Sequence, residues 1–512
     1  MAPARGRGKR KIPEPPVPPQ QGLKKWFTLA PKPCETEDRN QEGQVSVPEV
    51  ALPTTAPEHA TSQHDVGTDA EAYASLPPEL EPPLSSKTVN TLHQDNLDQV
   101  VRSHRFSQGE PDWYNQYCNS YNDRLQKLRG PVLQQARSMW SGKVDSCCFL
   151  AAMVGCKRLT AGSQVVVVGI VFKDMKARPS LVCQYRDAEP LSRGVSMPSS
   201  VSDAPRSFCT SNDVLWLEDR SFRMQLVLPG DHKLALVTGL VIAVRGSLRN
   251  DGRFRVVGWC LAQVPPSLPL TCANGDFVAF TSGLHLGTDS TMQMECLTQL
   301  VDFLIAGNGV KRLIVCGGLF APGLKPTDGL GASQALLERL LSAAISIDVM
   351  PGPRDPTNQS LPQMPVHLAL LPGLQGCKHA CPVTNPYECE FHGFRILGHS
   401  GQPVSDMLQC TQNKSPMEAL VMSLNALHLA PTAPDTLTAQ PIPQDDPFVM
   451  ETVPHVLFSG GHAKADCMWW PSSQGVGPGT ACVCVPAFHL QPAVVLVSSH
   501  NLKDARVKQF GN

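Results

Sequence analysis

Apolar and polar positions divide the chain into three regions with different periods. Residues 1 to about 104 show little periodicity and few aromatics, and are rich in Pro, Gln, Glu, Thr and Ser. Such a segment has too little apolar surface to offset chain entropy and is expected to be a disordered leader. From Phe106 to Trp140, Trp113, Tyr114, Tyr117, Tyr121, Leu125 and Leu128 recur at helical spacing and Pro131 follows, which predicts one or two amphipathic helices packed on the next domain. Between about 160 and 265 the runs Val165–Phe172, Phe222–Leu228 and Gly239–Gly246 read as strands. Asn250-Asp251-Gly252 then makes a tight turn before Phe254–Trp259. Short strands with glycine at the bends suit a small all-β barrel, which with the preceding helices makes up a domain over 105–275. From 276 to 512, short apolar strands alternate with helical segments such as Gln334–Leu341, the pattern of a layered α/β domain.

Charge narrows the function classes. The 44 Lys+Arg and 45 Asp+Glu leave a formal charge of -1, so nucleic-acid contact would have to be local. No apolar run reaches the roughly 20 residues of a membrane span and no signal-peptide core precedes the leader, so a soluble intracellular protein is expected. The 18 cysteines form no Cys-x-x-Cys pair. Cys377 and Cys381, with His379 between them, and Cys482 and Cys484 are close sets, and these cysteines read as buried free thiols rather than metal ligands.

Chemistry is sought at strand ends of the α/β region, and four places stand out. They read Phe277–Gly287, Leu313–Gly318, Val349–Asn358 and His455–Ala463. Their spacing resembles that of the two-metal phosphoesterases, whose sites need Asp, His and Asn ligands to hold cations roughly 3.5–4 Å apart. Each copy is damaged. In an Asp-x-His pattern Gly283 takes the carboxylate position and His285 survives, while Gly318 takes that of the bridging carboxylate. Pro353 and Arg354 stand where an amide and an imidazole belong, with Asp355 retained. In the last pattern Gly461 and Ala463 replace the two imidazoles, and His462 is out of step by one. Proline offers no donor, and a guanidinium repels a divalent cation. His285, Asp355 and His399 are too few for a binuclear site; Asp355 reads as a turn former. No metal, cofactor or catalytic residue is expected.

Around these motifs the sequence resembles the B-subunit family of the alpha, delta and epsilon replicative DNA polymerases, most closely its delta branch, from about Arg105 to Pro492. The resemblance is carried by Asp355-Pro356-Thr357-Asn358 with Leu361-Pro362-Gln363 and His367, Val383-Thr384-Asn385-Pro386, Gly401-Gln402 with Val404-Ser405-Asp406, Pro431–Leu437, Asp446-Pro447-Phe448 and Pro454-His455-Val456. It implies an oligonucleotide-binding (OB) fold barrel joined to an inactivated calcineurin-like phosphoesterase domain. It also implies a nuclear, non-catalytic scaffold between the catalytic subunit of DNA polymerase delta and a third subunit, meeting DNA through the complex. The chain departs from the family in its long leader and after Ser459.

Two islands in the leader carry further expectations. Arg5, Arg7, Lys9, Arg10 and Lys11 form a basic cluster compatible with nuclear import or with a solvated tail. Gln20, Leu23, Trp26 and Phe27 fit a pattern that resembles the docking motif for the sliding clamp PCNA. A helical turn would put Leu23, Trp26 and Phe27 on one face. Two rival functions remain at this point: an active metal-dependent nuclease or phosphodiesterase, and a single-strand DNA-binding barrel. The damaged motifs oppose the first; the lack of a basic groove with exposed aromatics opposes the second.

Overall fold

A computed structural model describes residues 100–107, 114, 117–140, 148–150, 164–178, 207–230, 232–267, 276–324, 333–343, 345–391, 393–412, 415–441, 445–471 and 479–511. All fall within one compact unit, Ser75–Asn512. Among them no helix is long and apolar enough to cross a membrane.

The order begins with strand β1 (Val100–Arg102) and helix α1 (Cys118–Trp140), followed by β2 (Cys148–Leu150), β3 (Gln164–Asp174), β4 (Val214–Glu218), β5 (Arg223–Val227), a short helix α2 (His232–Ala235), β6 (Val241–Leu248) and β7 (Phe254–Cys260). Strands β3, β4, β5, β7 and β6 follow one another around a ring that β3–β6 pairing closes, with β2 added beside β3. This is the five-stranded connectivity of an OB barrel. Its interior is filled by Val165, Val167, Leu217, Met224, Ile242 and Phe254. β4 is absent from the strands read off the sequence, because Leu215 and Leu217 face in while Trp216 faces out, and only five residues carry that alternation.

Helix α1 is a single element, and Pro131 lies inside it rather than ending it. An interior proline costs one backbone hydrogen bond and strain worth about 3 kcal/mol. The buried stripe Leu125, Leu128, Val132, Ala136 and Trp140 offsets it, and the Pro131 carbonyl accepts from Gln263 N–H at 3.0 Å. Tyr114, expected on that apolar stripe, is 99% exposed; it precedes the helix.

The second half is a sandwich of two six-stranded sheets. Its strands are β8 (Phe277–Thr281), β9 (Val310–Cys316), β10 (Ser346–Met350), β11 (Ala380–Pro382), β12 (Tyr387–Phe391), β13 (Phe394–His399), β14 (Val456–His462), β15 (Asp466–Trp470), β16 (Thr480–Pro486), β17 (Ala493–Ser498) and β18 (Ala505–Gln509). One sheet runs β11-β10-β9-β8-β17-β18 and the other β1-β12-β13-β14-β16-β15. Phe280, Ile314, Cys316, Ile396, Phe458 and Val483 pack between them. Helices α3 (Thr291–Ile305) and α4 (Ser333–Leu341) cover the first sheet, and α5 (Gln402–Cys410) and α6 (Pro416–Asn425) the second. β8, β9, β10 and β11 are parallel, so their carboxyl ends gather at one rim. In open α/β sheets that rim is where ligands bind.

The leader expected to reach 104 stops short of it. β1 pairs antiparallel with β12 as an edge strand of the sandwich, and Arg102 reaches Asp348 on β10 at 2.9 Å. Arg105 donates to the carbonyls of Pro447 at 2.6 Å and Val449 at 2.8 Å. A three-residue strand beside polar sequence has too short a period to be read in advance.

Candidate functional site

The four motifs do converge. The loops after β8, β9 and β10 meet at the rim, and backbone contacts backbone there. Gly283 N–H donates to Gly317 O at 2.8 Å, His285 N–H to Gly318 O at 3.2 Å and Leu286 N–H to Leu319 O at 2.7 Å. A Cβ on Gly318 would stand 2.9 Å from Gly283 Cα, and one on Gly352 would stand 2.6 Å from Gly318 N. Real Cβ atoms essentially never come so close, so no carboxylate fits at Gly318 without displacing the chain. Gly283 and Gly318 have φ of +63° and +68°, which disfavours most other residues as well.

Asp355 is turned inward, almost fully buried. Its Oδ2 accepts from the N–H groups of Gly352 at 2.7 Å, Gly318 at 2.8 Å and Leu319 at 3.2 Å, and its Oδ1 from Phe320 at 3.1 Å. The carboxylate that a metal would need therefore holds two strand-end loops together, as a turn-forming residue should. Beneath it lies a network of neutral amides. Asn385 Nδ2 donates to Gln363 Oε1 at 2.7 Å and Ser400 Oγ at 2.8 Å, Gln402 Nε2 donates to Gln363 Oε1 at 2.8 Å, and Gln363 Nε2 reaches the carbonyls of Gly352 and Asn358. Asn358 ties its own turn through the carbonyls of Ser360 and Pro362. Pro353 and Arg354 are exposed above this floor.

The surviving imidazoles are scattered. His285, with φ +49°, stacks on His489 with ring centroids 4.0 Å apart. Burial first, then His489 and Arg354, bring His285 down to about 4. His489 has no counterpart among the motifs and arrives through the turn after β16, a position no local pattern announces. His399 is fully buried: its Nδ1 accepts from Gly401 N–H at 3.1 Å, which leaves the proton on Nε2, an atom with no partner among the described residues. Burial, helped by His462, lowers it to about 3. His462 turns in at a register shift of β14, its Nε2 lying 2.7 Å from Ser459 Oγ. Gly461 donates its N–H to Ser282 Oγ at 2.8 Å, and Gly461 and Ala463 are exposed. Among the described residues no three His, Cys, Asp or Glu side chains are placed to share a metal ion.

The barrel shows a comparable closure. On its outer face the Arg223 guanidinium lies 4.6 Å from the Phe172 ring centre and 4.5 Å from that of Trp216, and it pairs with Glu218 at 2.9 Å. The two aromatic faces on which bases would stack are capped by a cation already neutralised.

Charge is instead concentrated where barrel meets sandwich. Arg124 of α1 is 1% exposed and pairs with Asp446 at 2.7 Å. It also donates to the carbonyls of Gly239 at 3.3 Å in the barrel, and Pro431 at 2.9 Å and Ala433 at 2.8 Å in the sandwich half. His428 Nε2 lies 3.0 Å from the same carboxylate. Burial pushes the Asp446 carboxyl up, but Arg124 and then His428 outweigh it and hold the carboxyl below its ordinary range. Buried Lys173 of β3 makes a second tie, donating to Cys410 O at 2.8 Å and Leu236 O at 3.1 Å and standing 3.8 Å from Asp213. Cores of the two halves merge: Val165 and Leu240 belong to one cluster with Met407 and Leu424.

The leader residues Arg5, Arg7, Lys9, Arg10, Lys11, Gln20, Leu23, Trp26 and Phe27 lie outside the described residues. Comparison with known proteins bears on the rest. Residues 278–467 match the B-subunit family model of DNA polymerases alpha and epsilon, and residues 116–259 match that for the DNA polymerase delta subunit OB-fold domain. The DNA polymerase delta small subunit of Arabidopsis thaliana is 30% identical over 416 residues, covering 76% of this chain and 90% of that protein. DNA polymerase delta subunit 2 of Drosophila melanogaster is 29% identical over 428 residues, 78% of this chain and 94% of its own. The DNA polymerase delta small subunit of Saccharomyces cerevisiae is 27% identical over 478 residues, 82% and 95%. The residues that carried the resemblance, Asp355, Gln363, Asn385, Gln402 and Asp446, are those that knit the rim and the joint, and the chain belongs to the DNA polymerase delta small-subunit family.

Proposed function

We propose that this chain is a non-catalytic accessory subunit of DNA polymerase delta, and that its second half is a calcineurin-like phosphoesterase sandwich without activity. The observation that carries this reading is the rim itself, where backbone atoms of Gly283, Gly318 and Gly352 occupy the space that ligand side chains would need. Without a metal-bound water there is no route to a nucleophile at neutral pH. Barrel and sandwich, fused by Arg124 and Lys173, act as a rigid platform for the catalytic subunit and a third subunit in the nucleus, and DNA is met through the complex. The self-capped Phe172 and Trp216 speak against the barrel as a single-strand binder.

The leader adds a tether, with Gln20, Leu23, Trp26 and Phe27 docking on PCNA and the basic cluster at Arg5–Lys11 serving nuclear import. Reconstitution tests the platform: adding the chain to the catalytic subunit should yield a stable complex with longer processive synthesis, and failure to associate would refute it. Calorimetry with a peptide spanning 18–33 and PCNA tests the tether. Trp26→Ala with Phe27→Ala should weaken binding at least several hundred-fold, since each buried aromatic anchor contributes on the order of 2 kcal/mol or more. Equal affinities would show the motif to be accidental.

A further inference from the structure

The second tie across the joint contains a contact that stability alone does not explain. The Lys173 ammonium, whose side chain is fully buried, has three N–H groups to place. Two go to the carbonyls of Cys410 at 2.8 Å and Leu236 at 3.1 Å. The third goes to the Cys209 sulfur at 3.1 Å. Sulfur is a weak acceptor, and a buried ammonium is held better by oxygen. The Asp213 carboxylate is close by but stays 3.8 Å from Nζ, because Thr210 occupies it. Oδ2 of Asp213 accepts from Thr210 N–H at 3.0 Å and Oδ1 from Thr210 Oγ1 at 2.7 Å. A serine at 209 would serve the ammonium better than cysteine does. What the cysteine adds is a thiol in contact with an amine, with a carboxylate beside both.

We propose that Lys173 and Cys209 form a site of reversible oxidative modification, in which dioxygen links Nζ to Sγ through a single oxygen atom. In the first step dioxygen adds to the thiol, breaking the S–H bond and forming a sulfur-bound hydroperoxide. The Lys173 ammonium gives one proton to the Asp213 carboxylate, and the amine lone pair attacks the oxygen bonded to sulfur. An N–O bond forms and the O–O bond breaks. The outer oxygen leaves as water, carrying its own hydrogen and one from nitrogen. Four electrons pass to dioxygen, two from sulfur and two from nitrogen. One bridging oxygen suits a gap of 3.1 Å, whereas a direct S–N bond would require buried β3 to shift. Burial raises the Cys209 thiol, with Lys173 opposing it, so reagents that need a thiolate react with it slowly. Dioxygen is small enough to reach a residue 8% exposed, and the amine is already in place. The bridge leaves Nζ one N–H and no charge. It can then no longer serve both Cys410 O and Leu236 O, so oxidation slackens the tie between barrel and sandwich.

Peptide mapping by mass spectrometry on the full-length chain is the test. One sample is kept without oxygen in dithiothreitol; the other is aged in air with catalase present, so that dioxygen is the oxidant. Both are then denatured, alkylated and digested. The aerated chain should yield a peptide pair joining Lys173 to Cys209, heavier than the two free peptides by one oxygen and lighter by two hydrogens. That pair should be absent from the anaerobic sample and lost on treatment with dithiothreitol. Cys209→Ser, which offers the ammonium an oxygen acceptor, should melt no lower than the wild type and lose the pair. Complete alkylation of Cys209 in the aerated wild-type chain would overturn the proposal. So would Cys209 oxidised with no lysine attached, or a pair lighter by two hydrogens alone, the mark of a direct S–N bond. Should Cys209→Ser fail to fold, the comparison of the two wild-type samples still decides.

Discussion

The rim of the sandwich and the joint between barrel and sandwich are both polar and buried, yet they are built from opposite materials. At the rim glycine backbone lies against glycine backbone, one buried carboxylate is consumed by four N–H groups, and neutral amides fill the floor. At the joint the charges are concentrated, with Arg124, Asp446 and His428 all about 1% exposed. A buried ion pair adds little net stability against an apolar substitute but is costly to break from one side, so it suits a place where two parts must keep a single geometry. The rim holds its loops together with backbone contacts and neutral amides instead. The difference marks which polar centre is still held to one arrangement.

Breaking the joint should have the largest effect. Arg124→Met leaves the buried Asp446 with His428 and the Phe448 N–H but no cation to pair with, and strips partners from three carbonyls; denaturant unfolding should show a loss of about 3–5 kcal/mol. A loss below about 1 kcal/mol would mean that charge at the joint is incidental.

The same logic applies at β1. Asp348 is fully buried between Arg102 and Arg312. Removal of residues 1–97, a leader expected from its composition to add few buried contacts, should leave the thermal midpoint unchanged. Removal of residues 1–105 takes away β1, Arg102 and Arg105 and should cost about 3 kcal/mol. Equal midpoints for the two truncations would show that β1 is dispensable.

Much of this could be read in advance, and the rest could not for identifiable reasons. Barrel strands β3, β5, β6 and β7 and the rim motifs are local patterns, so their period and spacing are visible in short windows. That Gly283, Gly318, Gly461 and Ala463 stand at or just past strand ends was legible because each follows a short apolar run at a fixed spacing. The joint was not, because Arg124 and Asp446 are 322 residues apart and nothing local marks an arginine on a helix as buried. β1 and His489 escaped for the same reason, each being placed by pairing or packing with distant chain.

A smaller effect sharpens the account of the rim. Gly318→Asp restores the carboxylate at its sequence position, but its Cβ collides with Gly283 Cα, and overpacking of this kind costs about 1–3 kcal/mol. The variant should be less stable than the wild type and gain no manganese affinity; a stable variant that binds manganese would mean that the loops part easily.

A pH effect of comparable size follows from His399. His399 titrates at about 3 when folded against an ordinary 6.5, so between those values the unfolded chain carries a proton that the folded chain lacks. Stability therefore rises with pH through this window and is lost on acidification below about 6.5, at up to about 1.4 kcal/mol per pH unit for one histidine. His399→Asn keeps an acceptor for Gly401 N–H, and should flatten the fall in stability between pH 7 and 5. An unchanged slope would place the titration elsewhere.

The most direct measurement is metal content and phosphodiester cleavage on the purified full-length chain, with manganese titrated by calorimetry and a nuclease assay run alongside. The account predicts no stoichiometric binding and no cleavage, with His285→Ala and Asp355→Ala changing neither readout. Two tightly bound manganese ions per chain, or a cleavage activity abolished by either substitution, would contradict it.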